Sequence, residues 1–248
     1  MRYSFLVFIL VTSFLHAGVI NIAVASNVNY AMQALKKEFE QQHPKTQVNI
    51  TLGSSGKLTA QIMHGAPFGL FMSANMFFPQ TLYKKNLTLS KPIVYAEGAL
   101  VYFSKKKKDF SKGLELLKSP QIKRIAIANP KTAPYGKATK EALENAKLYA
   151  SLHSKFVYGE SVSQTLSYTL RATDMGFIAK SALFCKELST YKKGVHWEDV
   201  DAQLYTPIKQ GMVILKNAKN MQEVKLFYDF ILSDDAKKIL KVYGYKVL

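Results

Sequence analysis

The chain has 248 residues, which is enough for one large or two modest domains with a sizeable core. Its content of 48% apolar and 21% charged residues excludes an intrinsically disordered chain. The 34 basic and 17 acidic residues give a formal charge of +17, which favours anionic partners without identifying one.

The N-terminus has the pattern of a secretory signal. Arg2 supplies the positive charge, an apolar run covers 5–14, and Ala17 offers a small residue at the cleavage position. We therefore predict a signal peptide over 1–17, with an uncleaved anchor as the alternative. Cys185 is the only cysteine, so no intramolecular disulfide can form, and we expect it to be a small buried residue. Export without disulfides is typical of a periplasmic protein.

The first part of the mature chain alternates between strand and helix patterns. In order, these are a strand at 18–25, a helix from 26 to about 43, a strand at 48–52, a helix at 56–64, a strand at 68–73 and a helix at about 76–85. This alternation predicts a parallel sheet with helices packed on its faces.

A second α/β unit follows an apolar, strand-like segment at 92–103. It consists of a helix near 111–118, a strand at 124–128, a helix at 136–149, a strand at 156–158, a helix at 162–171 and a strand at 176–179. A strand at 207–215 and helices at about 220–232 and 234–243 end the chain. Crossing segments near 96–98 and 205–208 predict two lobes with a cleft between them: lobe 1 is 18–97 plus 207–248, and lobe 2 is 98–206.

Four helix starts in this pattern share a chemical property. They carry small, hydroxyl or glycine residues directly after predicted strands, namely Ser26-Asn27, Ser54-Ser55-Gly56, Tyr135-Gly136 and Ser161-Val162. A helix start has unpaired backbone N–H groups and a partial positive charge, so it attracts anions. Each pair alone is typical of an ordinary helix cap. Two in each half of the chain, at strand ends, predict a small anion held between the lobes.

The sequence gives less support for serine catalysis, metal binding or nucleic-acid binding. Ser54 and Lys57 form an S-x-x-K pair, the nucleophile motif of serine acyl-enzymes, but the S-D-N and K-T-G motifs that accompany it are missing from the sequence. The histidines show no metal-ligand spacing. The basic run 105–108 lacks the interleaved aromatic residues of a nucleic-acid site, and we expect no nucleic-acid partner. A serine acyl-enzyme and a basic cell-surface protein remain as alternatives.

Short sequence motifs are distributed over the whole predicted mature chain. They read IAVASN (22–27), LGSSGKL (52–58), GAP (65–67), LFMSAN (70–75), NP (129–130), APYG (133–136), KEAL (140–143), ESV (160–162), GFIA (176–179), FYDF (227–230) and YGY (243–245). Together they resemble the periplasmic molybdate/tungstate-binding proteins of ABC importers. The resemblance implies an α/β, two-lobed periplasmic binding protein of type II, in which each lobe has a mainly parallel sheet flanked by helices and two strands form the hinge.

The resemblance also implies a set of ligand residues. Ser26, Asn27 and Ser55 are expected to bind the oxyanion from the first lobe, through hydroxyl and backbone N–H groups. Tyr135 and the backbone N–H of Val162 are expected to bind it from the second lobe. Molybdenum enters only as the oxyanion, so no other metal and no cofactor is expected, and no catalytic residue is implied.

Three positions depart from the family pattern. Where some members have a tyrosine in the GFIA segment, this chain has Ala179, and we expect the Tyr135 hydroxyl to replace the missing one. Gly69 and Asn75 stand where many members have acidic residues.

By the resemblance, the chain is expected to be a monomeric, non-enzymatic receptor. It captures molybdate or tungstate and delivers it to a membrane permease with its ATPase subunits. Another tetrahedral oxyanion, such as sulfate, is the alternative ligand.

Overall fold

The computed structural model describes residues 18–247, so the predicted signal peptide at 1–17 lies outside the described residues. The first half contains β1 (Gly18–Ala25), α1 (Asn29–Gln42), β2 (Thr46–Gly53), α2 (Ser55–Met63), β3 (Leu70–Ser73), α3 (Phe77–Lys84), β4 (Ile93–Gly98) and β5 (Leu100–Phe103). The second half contains β6 (Ile125–Ala128), α4 (Pro134–Asn145), α5 (Tyr149–Leu152), β7 (Phe156–Gly159), α6 (Val162–Arg171), β8 (Met175–Ala179), β9 (Trp197–Asp199), β10 (Ile208–Ile214), α7 (Met221–Ile231) and α8 (Asp234–Val242). From 18 to 247, no helix combines the length and the apolar character that crossing a membrane requires.

The strands form two separate five-stranded sheets. The first has the order β2-β1-β3-β10-β4, and the second has the order β7-β6-β8-β5-β9. Helices cover both sheets, because strands such as β3, β5 and β6 are buried along their whole length and need cover on each face. The two-lobed α/β fold class is thus confirmed.

Both sheets are mainly parallel, as the resemblance implied, with one reversed strand in each. In the first sheet β1 runs parallel to β2 and β3, but β10 runs antiparallel to β3 and β4. In the second sheet β6 runs parallel to β7 and β8, but β5 runs antiparallel to β8 and β9. The antiparallel strands β5 and β10 both follow a crossing from the other lobe.

The hinge is formed where the chain crosses between sheets. Strand β4 ends at Gly98 in the first sheet, and β5 begins at Leu100 in the second. The return crossing enters β10 at Ile208, which pairs with Gly98. The lobe limits given above from the sequence remain a prediction at the level of individual residues.

Several elements differ in detail from the sequence prediction. The segment 110–118 forms 3-10 turns rather than an α-helix, because Gly113 interrupts it with a φ of 55°. The helix predicted at 136–149 begins at Pro134 and ends at Asn145. Two residues later Lys147 takes a φ of 59°, which a continuing α-helix does not allow. Strand β9 was not predicted, since its sequence WED is polar and lies at a sheet edge. Cys185 is buried, as expected.

Candidate functional site

The strand register brings the predicted site loops together within each lobe. In the first sheet Ala25 pairs with Gly53, so the residues that follow β1 and β2 emerge side by side. In the second sheet Ala128 pairs with Gly159, which does the same for the loops after β6 and β7. Carboxyl ends of parallel strands meet at one edge of a sheet, so each lobe presents its helix starts at a single edge.

All five predicted site residues line one small cavity between the lobes. Its volume, taken as the space open to the centre of a water molecule, is about 10 Å³. The lining residues are Ala25, Ser26, Asn27, Gly53, Ser54, Ser55, Ala74, Ala133, Pro134, Tyr135 and Val162. Every one of them is uncharged, so any anion in this cavity is met by dipoles rather than by charged side chains.

The first lobe contributes two serines at helix starts. Ser26 begins a 3-10 turn directly after β1 and is 7% exposed. Ser55 is the first residue of α2 and is fully buried. The Ser55 Oγ accepts the backbone N–H of Ala74 at 3.0 Å, which leaves its hydroxyl hydrogen free to donate. Because Ser55 lines the cavity, this hydroxyl is available to donate to a ligand there.

The second lobe contributes the first turns of two helices. Tyr135 is the second residue of α4, directly after Pro134, and Val162 is the first residue of α6. Ser161 caps α6 by accepting the backbone N–H of Gln164 at 3.3 Å. The N–H of Val162 has no intrahelical acceptor because Val162 is the first residue of the helix. Proline at the start of α4 suits this position because its nitrogen has no hydrogen to leave unpaired.

The Tyr135 hydroxyl lies on the hinge side of the site. A Cβ atom on Gly98 would overlap this hydroxyl and would come within 3.0 Å of Gln210 Nε2. Burial raises the pKa of Tyr135 well above its ordinary value, so the hydroxyl stays neutral. Among the described residues the Tyr135 Oη has no hydrogen-bond partner.

The Asn27 side chain also faces the hinge. Its Nδ2 donates to Gln210 Oε1 and to Tyr245 Oη, at 2.9 Å in each case. Both amide hydrogens are therefore used within the protein, and the donor that Asn27 can still offer the cavity is its backbone N–H. Gln210 and Tyr245 were not predicted from the sequence, because they lie 183 and 218 residues from Asn27 and follow no recognisable local motif.

Contacts between the lobes surround the cavity. The backbone N–H of Gly56 donates to Thr132 O at 2.9 Å, and Ser163 Oγ donates to Ser26 O at 2.9 Å. Lys57 Nζ lies 2.7 Å from Glu160 Oε1, and both side chains are about half exposed. These contacts define a closed arrangement of the two lobes.

The S-x-x-K pair has no catalytic geometry. Ser54 Oγ accepts the backbone N–H of Lys57 at 3.4 Å and serves as the cap of α2. The Lys57 amine is instead paired with Glu160. Over residues 18–247 the structure contains no group of three or more histidine, cysteine or acidic side chains placed to hold a metal ion.

Gly69 and Asn75, the two positions where the resemblance led us to expect acidic residues, each have a defined local environment. A Cβ atom on Gly69 would lie 2.6 Å from Val224 Cγ2, so a larger side chain requires the Val224 side chain on α7 to shift. Asn75 Oδ1 accepts the Ser73 hydroxyl at 3.4 Å and the backbone N–H of Phe78 at 3.5 Å. Asn75 therefore supports the start of α3, and it also lines a wider cavity of about 210 Å³ that adjoins the site.

Two lobes joined by paired hinge strands, with a neutral cavity of helix starts between them, define a two-lobed solute-binding protein. The sequence profile of the bacterial extracellular solute-binding proteins matches residues 20–246, and the chain belongs to this family.

Individual relatives cover nearly the whole chain. It is 32% identical to the molybdate-binding protein ModA of Azotobacter vinelandii over 92% of this chain and 90% of the relative. It is 34% identical to ModA of Rhodobacter capsulatus, over 92% and 88% of the two chains. The solved periplasmic molybdate-binding protein of Azotobacter vinelandii superposes with a TM-score of 0.86 at 30% identity, covering 92% of this chain and 99% of that one.

Proposed function

We propose that this protein captures molybdate or tungstate in the cavity between its lobes and delivers it to a membrane ABC importer. The observation that carries the proposal is the convergence of Ser26, Asn27, Ser55, Tyr135 and Val162, two loops from each lobe, on one buried and uncharged cavity. The relatives that are named molybdate-binding proteins support the choice of ion.

Helix starts and hydroxyl groups can hold a dianion without a charged side chain. A buried dianion loses its hydration and must recover that free energy from fixed donors. Hydrogen bonds to charged groups contribute about 1.5–3 kcal/mol each, so about six or seven of them support sub-micromolar binding after the costs of ordering and closure. The Ser26 and Ser55 hydroxyls and the N–H groups at the four helix starts are the donors we assign to this role.

The donor set also favours certain anions. Backbone N–H groups only donate, so they disfavour an anion that keeps a proton, such as hydrogen phosphate. Discrimination between molybdate, tungstate and sulfate depends on how well the closed cavity fits each tetrahedral ion. Sulfate is therefore the competing ligand that the binding experiment has to include.

The serine acyl-enzyme is disfavoured by the position of Lys57. A base must lie within hydrogen-bond reach of the nucleophile it activates, whereas the Lys57 amine is paired with Glu160 and the Ser54 hydroxyl accepts a backbone N–H. We therefore propose a binding protein that uses neither catalysis nor a cofactor.

The proposed setting is the periplasm, with the protein acting as a monomer. Closure around the ion would present one joined surface of both lobes to the permease, whose ATPase subunits then drive import. A ligand that binds only the closed state shifts the population toward it, so the importer can distinguish loaded from empty protein.

Isothermal titration of the refolded, ligand-free protein with molybdate, tungstate, sulfate and phosphate tests the proposal. We expect sub-micromolar binding of molybdate or tungstate and weaker binding of the other two. Tighter binding of sulfate would reassign the specificity. Salt-sensitive binding of polyanions without binding of any small oxyanion would favour the basic cell-surface protein. Elemental mass spectrometry of protein purified from its native host identifies the ion that it carries.

A further inference from the structure

Buried hydrogen bonds connect the Ser26–Asn27 turn, which we call the site loop, to the hinge. We call the four residues Asn27, Gln210, Tyr245 and Ser181 the hinge network. All four are buried, with exposed fractions of 4% or less. They come from the start of the first lobe, from β10, from the end of the chain and from the segment after β8 in the second lobe.

Gln210 determines the orientation of the Asn27 side chain. The Gln210 Nε2 donates to Ile208 O at 2.9 Å and to Ala74 O at 3.4 Å. A carbonyl oxygen only accepts, so the nitrogen end of the Gln210 amide has to face these two carbonyls. Its Oε1 then faces Asn27, which has to present Nδ2 in return. Two backbone carbonyls thus fix the position of a side chain in the site loop.

Tyr245 and Ser181 hold the backbone of the same residue. The Tyr245 hydroxyl donates to Asn27 O at 2.9 Å, and Ser181 Oγ donates to the same oxygen at 2.8 Å. Tyr245 also accepts one hydrogen from Asn27 Nδ2. The Ser181 bond crosses between the lobes, because Ser181 follows β8 in the second sheet and Asn27 follows β1 in the first.

We propose that Gln210, Tyr245 and Ser181 are positioning residues for oxyanion binding. They hold the Ser26–Asn27 turn so that its hydroxyl and backbone N–H groups face the cavity, and the Ser181 bond links this turn to lobe closure. None of the three lines the cavity, so their effect on the ligand passes through Asn27. This inference rests on the proposed function.

The first test compares Tyr245→Phe with Tyr243→Phe. Tyr245→Phe removes one hydroxyl from the network, whereas Tyr243 lies two residues away and outside it. The hydroxyl bonds both the side chain and the backbone carbonyl of Asn27. Because its effect reaches the ligand only through Asn27, we expect Tyr245→Phe to raise the molybdate dissociation constant about threefold to tenfold, mainly through faster dissociation. Tyr243→Phe should leave the constant unchanged. A purely structural role would lower the melting temperature and the binding-competent fraction in titration without changing the affinity of that fraction.

The second test examines the link to closure without any ligand. Ser181→Ala removes the bond between the lobes, and Ser189→Ala is the matched control because Ser189 bonds only to the neighbouring Lys186 O at 2.8 Å. We expect small-angle scattering to give a larger radius of gyration for ligand-free Ser181→Ala than for the wild type, and no change for Ser189→Ala. Gln210→Glu should show a larger loss of affinity than Tyr245→Phe, since a carboxylate cannot donate to Ile208 O and Ala74 O.

The outcomes separate the two proposals. If the wild type binds no oxyanion, the proposed function fails, and the scattering comparison still tests the interlobe bond. The positioning role is overturned if the wild type binds molybdate, Tyr245→Phe releases it at the wild-type rate, and ligand-free Ser181→Ala has the wild-type radius of gyration.

Discussion

Lys57 Nζ lies 2.7 Å from Glu160 Oε1, and this ion pair joins the two lobes. Lys57 lies in the first turn of α2 in the first lobe, and Glu160 precedes the Ser161 cap of α6 in the second. The pair therefore connects the two helix starts that carry the proposed ligand groups Ser55 and Val162. Since its geometry exists only when the lobes are close, it stabilises the closed state selectively.

We predict that Glu160→Gln accelerates ligand release. A half-exposed ion pair contributes about 0.2–1 kcal/mol, so dissociation should be up to about fivefold faster at low ionic strength. The difference should shrink at about 1 M salt, where the Debye length is about 3 Å. Stopped-flow measurement of molybdate release at both salt concentrations checks this.

Two further variants test the assignment to this pair. The charge exchange Lys57→Glu with Glu160→Lys should restore slow release. Asp229→Asn removes a comparable exposed pair, Lys225–Asp229 at 2.6 Å, that lies within α7 of one lobe. It should leave the release rate unchanged. Equal acceleration by Asp229→Asn would attribute the effect to net charge instead.

We predict that Ser55→Ala weakens oxyanion binding by about 1–3 kcal/mol. The change removes a buried donor and also leaves the Ala74 N–H without its acceptor. Ser233→Ala is the control, because Ser233 caps α8 by accepting the Ala236 N–H and lies outside the cavity. Titration calorimetry should show lower affinity only for Ser55→Ala, while thermal melts should show lower stability for both.

Tyr135→Phe distinguishes two sources of hydrogen bonding. If the Tyr135 hydroxyl binds the oxyanion, the variant weakens molybdate binding by about 1–3 kcal/mol. If Tyr135 contributes only its backbone N–H, affinity stays at the wild-type value. Unchanged affinity in both Ser55→Ala and Tyr135→Phe would place the ligand elsewhere.

We predict that Gly98→Ala destabilises the closed hinge. The added methyl group would overlap the Tyr135 hydroxyl and crowd Gln210 Nε2. Overpacking of this kind typically costs about 1–3 kcal/mol. Denaturant unfolding measures the loss, and the combination with Tyr135→Phe should recover part of it because that change removes the overlapping oxygen. No recovery would attribute the strain to the contact with Gln210 Nε2 instead.

We predict that stability falls above pH 10 in part through Tyr245. Burial raises the pKa of Tyr245 to about 12. Below pH 10 the phenol is protonated in both the folded and the unfolded chain, so it adds no pH dependence. Between pH 10 and about 12 the unfolded chain ionises first, and the free energy of unfolding decreases by up to about 1.4 kcal/mol per pH unit. Denaturant unfolding of Tyr245→Phe over this range should show a smaller decrease.

Most elements of the fold followed from periodicity and from polar residues at helix starts. Helix α6 was predicted at its observed limits because Ser161 caps it and Arg171 lies in its last turn. The segment 110–118 was mistaken for a helix because its apolar spacing is helical, while the positive φ of Gly113 breaks it. Strand β9 was missed because an edge strand with the polar sequence WED has no apolar pattern to detect.

The amino-acid order alone determined where the helix starts fall and which of them carry hydroxyl groups, because helix capping depends on neighbours within one turn of the chain. Only the tertiary structure decided which distant residues contact these helix starts and fix their positions. Asn27 meets Gln210 and Tyr245 across 183 and 218 residues, and Lys57 meets Glu160 across the cleft. Contacts over such distances depend on how the sheets pack and cross at the hinge, and no local pattern encodes that.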